Sequence, residues 1–246
     1  MSSPVRGKST GGKLDKTTRK HLKEDRFAEE VGHSVEFVSS HRNQFLLWGA
    51  VAVALVVGVG SYMAYARSQA REAGQALTEA LELFHGAVET QERVGMITFA
   101  TNVERYTRTT EALEKVMTDY SGREEAVEAE YYLALIELQQ GESDEAVKRL
   151  EGLLPRAGEK IAPVARLTLA DEHARAGRIE QATKEYQYLI DHPGSVVPKA
   201  RAQFGLATAL KESNPEEAKK LFQELQKEPG AIAVLATRNL TEMGGS

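Results

Sequence analysis

The sequence EAVKRL at residues 145–150 decides the fold, because related stretches follow it at a fixed interval. QATKEY occupies residues 181–186 and EAKKLF occupies residues 217–222, so successive stretches are offset by 36 residues. Each stretch has an alanine at its second position and a large residue at its sixth. Internal similarity at an interval of this length indicates a solenoid of helical repeats.

Leu-Ala pairs precede the three stretches, at residues 133–134, 169–170 and 206–207. Helix-breaking residues separate each pair from its stretch: Gly141, Gly177 and Asn214-Pro215. Each unit is therefore predicted to be a helix, a tight turn and a second helix. The alanines would let the two helices approach closely, and the large residue would fill the space between adjacent units.

A degenerate earlier unit ends at Glu111–Val116, which lies 34 residues before the first clear stretch. The expected organisation is a long helix and degenerate first repeat over residues 67–126, three repeats over 127–228, and a capping helix and tail over 229–246. Residues 68–104 are expected to be helical, with Leu77, Leu81 and Phe84 on one face. The loops at 155–163 and 191–198 are predicted to end helices.

The register of small residues, glycine, alanine and large residues resembles the tetratricopeptide repeat family. The resemblance implies an all-α fold, a right-handed solenoid of helical hairpins, with a concave groove lined by the first helix of each hairpin. In that register the groove-facing candidates are Tyr131, Leu135, Leu138, Val164, Leu167, Asp171, Phe204, Thr208 and Lys211. The sequence leaves open whether the aromatic and leucine side chains among them form core between repeats instead.

An uncharged segment precedes the repeats. No charged residue occurs from Asn43 to Ala66. The 22 residues from Phe45 to Ala66 would span roughly 33 Å as a helix, against a hydrocarbon core of about 30 Å. We predict a single transmembrane helix over residues 43–66. A signal peptide cleaved after residues 64–66 is one alternative, although the apolar region of signal peptides is shorter. A buried helix of a soluble protein is the other, although 22 uncharged residues are long for such a helix.

The charge of the flanking segments predicts the orientation of this helix. Residues 1–42 carry nine Lys/Arg and six Asp/Glu, a net charge of +3, whereas the remainder carries 22 and 30, a net charge of −8. The positive-inside rule then places the N-terminus in the cytoplasm and the repeats in the periplasm of a bacterium. Residues 1–17 are predicted to be a disordered basic tail, and residues 18–42 a cytoplasmic amphipathic helix.

The whole arrangement is similar to a narrower family. The stretch TRKHLKEDRF at residues 18–27, one membrane span and a modest repeat domain together resemble the ancillary SecYEG translocon subunit family. The resemblance implies a non-enzymatic adaptor of the bacterial inner membrane. Its partners would be translocon subunits, periplasmic chaperones or emerging secreted chains. A scaffold for envelope maintenance or cell division, and a self-associating structural membrane protein, are alternatives that the sequence does not separate.

No pattern in the sequence predicts catalysis, a metal or a cofactor. The chain has no cysteine, and its six histidines do not have metal-binding spacing. The acidic C-terminal part also argues against a nucleic-acid partner. Asp171-Glu172-His173 is the most chemistry-like cluster, but adjacent side chains on a helix point about 100° apart. We therefore expect these three residues on a solvated helix face, and we predict that the protein is not an enzyme.

Overall fold

The computed structural model describes residues 42–88, 97–194 and 196–244. The predicted basic tail and nearly all of the predicted cytoplasmic helix lie outside these residues. The chain divides into two compact units, Met1–Ala66 and Arg67–Ser246.

Helix α1 runs from Arg42 to Phe84. Among the described residues it is the one helix long and apolar enough to cross a membrane, and none of its most apolar part is buried inside the protein. Leu47, Trp48 and Val56 are all strongly exposed. This exposure distinguishes α1 from the core helix of a soluble protein, so α1 is a candidate membrane span.

The segment after α1 is not helical throughout, so the expectation for residues 68–104 is wrong in part. Strand β1 (Ala87–Val88) pairs in parallel with β2 (Thr98–Phe99). Phe99 is buried, and its ring packs so closely on Gly86 that a Cβ at that glycine would lie 2.4 Å from a ring carbon. Thr98 is β-branched and Phe99 is aromatic, and both residue types prefer strands.

Eight further helices follow in the described part of the chain. They are α2 (Asn102–Asp119), α3 (Glu124–Gln140), α4 (Ser143–Leu153), α5 (Ile161–Arg175), α6 (Ile179–Asp191), α7 (Lys199–Ala209), α8 (Pro215–Leu225) and α9 (Ala231–Gly244). A short 3-10 helix, Leu154–Arg156, follows α4. The predicted all-α architecture, a candidate membrane helix followed by helical hairpins, is confirmed.

The turns inside the hairpins contain the predicted breakers. Gly141 and Gly177 have φ angles of 86° and 73°, a left-handed conformation that other residues adopt only at a cost. The Asn214 side chain accepts a hydrogen bond from the Glu217 N–H and caps α8. Pro163, expected in a loop, instead lies in the first turn of α5, where its missing N–H removes no helical hydrogen bond.

The repeat alanines and the large residues lie in the core. Helices α3, α5 and α7 pack against α4, α6 and α8 respectively, and α9 packs against α8. The first helices also contact each other in the order α3, α5, α7 and α9. The residues of the repeat register are almost fully buried: Ala134, Ala146, Leu150, Ala170, Ala182, Tyr186, Ala207, Ala218 and Phe222. This packing leaves one face formed by the first helices of successive hairpins.

Candidate functional site

An open groove of about 1060 Å³ lies among α5, α7 and α9, with α6 beneath it. Its lining combines apolar and charged side chains from these helices and from the turns that join them. The lining residues are Asp171, Ala174, Arg175, Gly177, Ile179, Tyr186, Arg201, Phe204, Gly205, Thr208, Ala209, Lys211, Glu212, Ser213, Ile232 and Leu235. The groove therefore spans two hairpins and the final helix.

Four of the nine groove candidates named from the sequence line this groove: Asp171, Phe204, Thr208 and Lys211. The other five lie elsewhere. Tyr131 and Leu138 pack against the core between α3, α4 and α5, whereas Val164 and Leu167 pack against Leu189, Val197 and Ala202. Leu135 is half-buried on α3. The structure thus brings together the candidates from the end of α5 and from α7, and separates them from those on α3.

A polar network on Asp171 joins three helices at one side of the groove. The Asp171 carboxylate accepts hydrogen bonds from the Tyr186 hydroxyl on α6 and from the Arg201 guanidinium on α7, the latter at 2.8 Å. Burial, and then the hydrogen bond to Asp171, raise the pKa of Tyr186 far above its usual range. The hydroxyl therefore stays protonated and donates to the carboxylate at any physiological pH.

Gly205 makes room for this network. A Cβ at position 205 would lie 2.4 Å from Cε1 of the Tyr186 ring, which is closer than any side chain could come without displacing the ring. Tyr186, Arg201 and Gly205 were not among the sequence candidates. The sequence did contain a signal for Tyr186. It occupies the repeat position that is Leu150 and Phe222 in the other units, and a tyrosine hydroxyl buried at that position needs a hydrogen-bond partner.

The floor and far wall of the groove are apolar. Phe204 is half-buried and packs edge-to-face on Phe222, with ring centroids 5.7 Å apart. Ile232 and Leu235 contribute the wall from α9, and Leu235 keeps 37% of its surface exposed. Accessible apolar side chains in a groove are surface that a partner can bury.

Several charged side chains at the rim pair with other groups of the domain. Arg175 pairs with Glu172, and Arg201 pairs with Asp171. Lys211 donates to the Asn239 amide oxygen at 2.9 Å and lies 3.4 Å from the Glu242 carboxylate. These pairs offset much of the charge at the rim, and the apolar side chains add accessible surface beside it.

Residues 36–191 match the family model of the tetratricopeptide repeat-like domain. The match covers more than half of the chain. The chain belongs to the tetratricopeptide repeat-like domain family. No curated protein matches the sequence. Domains of this family typically form scaffolds for protein–protein interaction and are not catalytic.

The tetratricopeptide hairpins also correct the expectation for Asp171-Glu172-His173. Glu172 and His173 are 4% and 7% exposed, so they do not lie on a solvated face. The end of α5 is covered by the start of α4 and by the turn into α6. Glu172 pairs with Arg175 and accepts from the Ser143 hydroxyl at 3.5 Å, while His173 Nδ1 accepts from Arg178 Nε at 3.1 Å.

The three side chains nevertheless point to separate partners, because Asp171 binds Tyr186 and Arg201 instead. They do not converge on one atom. Within residues 42–88, 97–194 and 196–244, no group of three or more His, Cys, Asp or Glu side chains could hold a metal ion. The candidate site in the described part of the chain is therefore the groove among α5, α7 and α9.

Proposed function

We propose that this protein is a membrane-anchored adaptor whose repeat domain binds a segment of a partner protein in the groove among α5, α7 and α9. The observation that carries the proposal is the accessible apolar surface of Phe204, Ile232 and Leu235 in a groove formed by successive first helices. An amphipathic helix or an extended segment can bury such a surface. Family membership supports protein binding as the general role.

The proposed setting is the bacterial inner membrane, with residues 1–42 in the cytoplasm and the repeat domain in the periplasm. The charge of +3 before the apolar segment supports this orientation through the positive-inside rule. Anchoring through α1 restricts the domain to a thin layer at the membrane, which raises its effective concentration near membrane partners. Binding is the whole proposed mechanism, and no residue is assigned a chemical step.

The proposed partners are subunits of the SecYEG translocon, periplasmic chaperones, or secreted chains that emerge from the translocon. The similarity of the cytoplasmic stretch at residues 18–27, the single span and the repeat domain to the ancillary translocon subunits supports this assignment. In this arrangement the three hairpins and the capping helix that follow the membrane helix form the binding domain.

Photo-crosslinking in intact cells tests the groove and the partner together. Thr208 is the best probe position, because it is exposed and lines the groove, so replacing it leaves the core intact. Lys184 is the matched control, since it is exposed on α6 and is not part of the groove. We expect adducts from position 208 to translocon subunits, chaperones or secreted chains, with few from position 184.

Other adducts would change the assignment in defined ways. Crosslinks from position 208 to cell-wall or division proteins would replace the translocon role with that of an envelope scaffold. Crosslinks to a second copy of the chain alone would show self-association. Equal labelling from positions 208 and 184 would reject the groove as the binding site.

A further inference from the structure

A buried histidine lies where α5 ends and the chain turns into α6. His173 is 7% exposed, and its Nδ1 accepts a hydrogen bond from Arg178 Nε at 3.1 Å. Because a guanidinium can only donate, Nδ1 must be unprotonated and the ring must be the neutral imidazole with its proton on Nε2. The backbone closes the same turn, with the Arg178 N–H donating to the His173 carbonyl at 2.8 Å.

Charged groups face His173 from each element packed on it. Arg178 comes from the turn, Glu151 from α4 and Glu185 from α6, while Glu172 is the neighbour on α5 itself. Arg178 also lies 3.8 Å from the Asp144 carboxylate at the start of α4. Burial, and then the positive charge of Arg178, lower the pKa of His173, and the three glutamates oppose this shift.

The same turn forms part of the groove wall. Ala174, Arg175, Gly177 and Ile179 line the groove and immediately follow His173 in the chain. The turn is short, since only three residues separate α5 from α6. A change in the contact between His173 and Arg178 therefore acts directly on side chains that a bound partner would touch.

We propose that His173 makes the turn between α5 and α6 sensitive to pH. Protonation places an N–H on Nδ1, so that a second cation faces the Arg178 guanidinium in place of an acceptor. The contact opens, and residues 174–179 loosen at the groove wall. Only the consequence for partner binding rests on the proposed function, because the loosening of the turn is a property of the chain itself.

The direction of the pH dependence follows from proton linkage. The pKa of His173 in the closed turn lies below its value in an open chain, which is about 6.5. The open state therefore takes up the proton more readily than the closed state. The contribution of neutral His173 to the stability of the closed turn is therefore fully present above about pH 6.5. It is lost as the pH falls through the lower pKa that His173 has in the closed turn.

Hydrogen exchange of the full chain in detergent micelles tests the proposal. Amide protection of residues 174–179 is compared at pH 7.5 and pH 5.5, after correction for intrinsic exchange rates. The variant His173→Asn keeps an acceptor near the Nδ1 position but does not titrate. The matched control is His192→Asn, at an exposed histidine of α6's C-terminal cap.

We expect the wild-type chain and His192→Asn to lose protection in this turn several-fold at pH 5.5, and His173→Asn to show no such loss. Unchanged protection in the wild-type chain would overturn the proposal. The same loss in His173→Asn as in wild type would overturn it too, since another group would then carry the response.

A second measurement does not depend on the stability of the His173 variant. NMR titration of the six histidines is carried out on the full chain and on Arg178→Met. Removing the guanidinium should move the midpoint of one histidine upward in pH, and a titration in which no midpoint moves contradicts the inference. Crosslinking from position 208 at pH 7.5 and pH 5.5 separates the two proposals. If no adducts form at pH 7.5 or at pH 5.5, the binding function is rejected, but the hydrogen-exchange result still stands.

Discussion

Gly205 determines how closely α7 can approach Tyr186. In Gly205→Ala, the new methyl group would push the Tyr186 ring and weaken its bond to Asp171. We expect unfolding stability to fall by about 1–3 kcal/mol, as in other overpacked sites, measured by denaturant unfolding of the full chain in micelles. Gly152→Ala is the control: nothing lies within 4 Å of its Cβ, and the change should stabilise α4 by up to about 1 kcal/mol. Equal effects at the two positions would contradict the close approach.

The Tyr186 hydroxyl is a second residue-level test. Tyr186→Phe leaves the ring in place but removes the donor to Asp171, which then keeps only Arg201 as a partner. A loss of about 1 kcal/mol in unfolding free energy is expected. Tyr131→Phe should cost less, because the Tyr131 hydroxyl lies 3.4 Å from the Thr168 hydroxyl, a longer and weaker contact. A larger loss in Tyr131→Phe than in Tyr186→Phe would argue against the network.

At the scale of a single element, α2 begins with a side-chain cap. The Thr101 hydroxyl accepts from the Glu104 N–H at 3.1 Å, and the Glu104 carboxylate accepts from the Ala100 N–H at 3.1 Å. Thr101→Ala replaces the cap on the Glu104 N–H with water and should lower stability by about 1 kcal/mol. Thr107→Ala, in the exposed middle of α2, should be neutral or slightly stabilising. Thermal unfolding of both variants by circular dichroism compares them, and an equal drop would show that the cap contributes nothing.

At the scale of the whole molecule, the absence of cysteine makes the proposed orientation directly testable. Ser9→Cys and Lys227→Cys each introduce one thiol, on opposite sides of the candidate membrane helix in sequence. With a reagent that cannot cross the inner membrane, Lys227→Cys should be labelled in cells with a permeabilised outer envelope, and Ser9→Cys only after lysis. The positive-inside charge distribution is the physical reason. Labelling of Ser9→Cys before lysis would contradict the proposed orientation and place the N-terminus outside the cytoplasm.

The sequence by itself determined that the chain forms helical hairpins after an apolar helix. Both signals are local or periodic: the 36-residue offset repeats an alanine and a large residue where helices must pack, and the segment from Asn43 to Ala66 carries no charge. Such patterns follow from helix geometry alone, so they can be read without knowing which helix lies beside which. The extended pair after α1 was missed because its contacts join residues that are distant in sequence: the Ala87 N–H donates to the Ile97 carbonyl, and Phe99 packs on Gly86.

Only the tertiary structure decided which residues form the groove. Tyr131 and Phe204 carry the same kind of signal in sequence, yet Tyr131 packs into the core of the preceding hairpin while Phe204 lines the groove. Asp171 finds its partners 15 and 30 residues away, and His173 is buried and accepts a hydrogen bond from Arg178 in the next turn. Burial and pairing of this kind depend on how separate helices pack together. The spacing of residues along one helix does not show which side chains of another helix lie beside it.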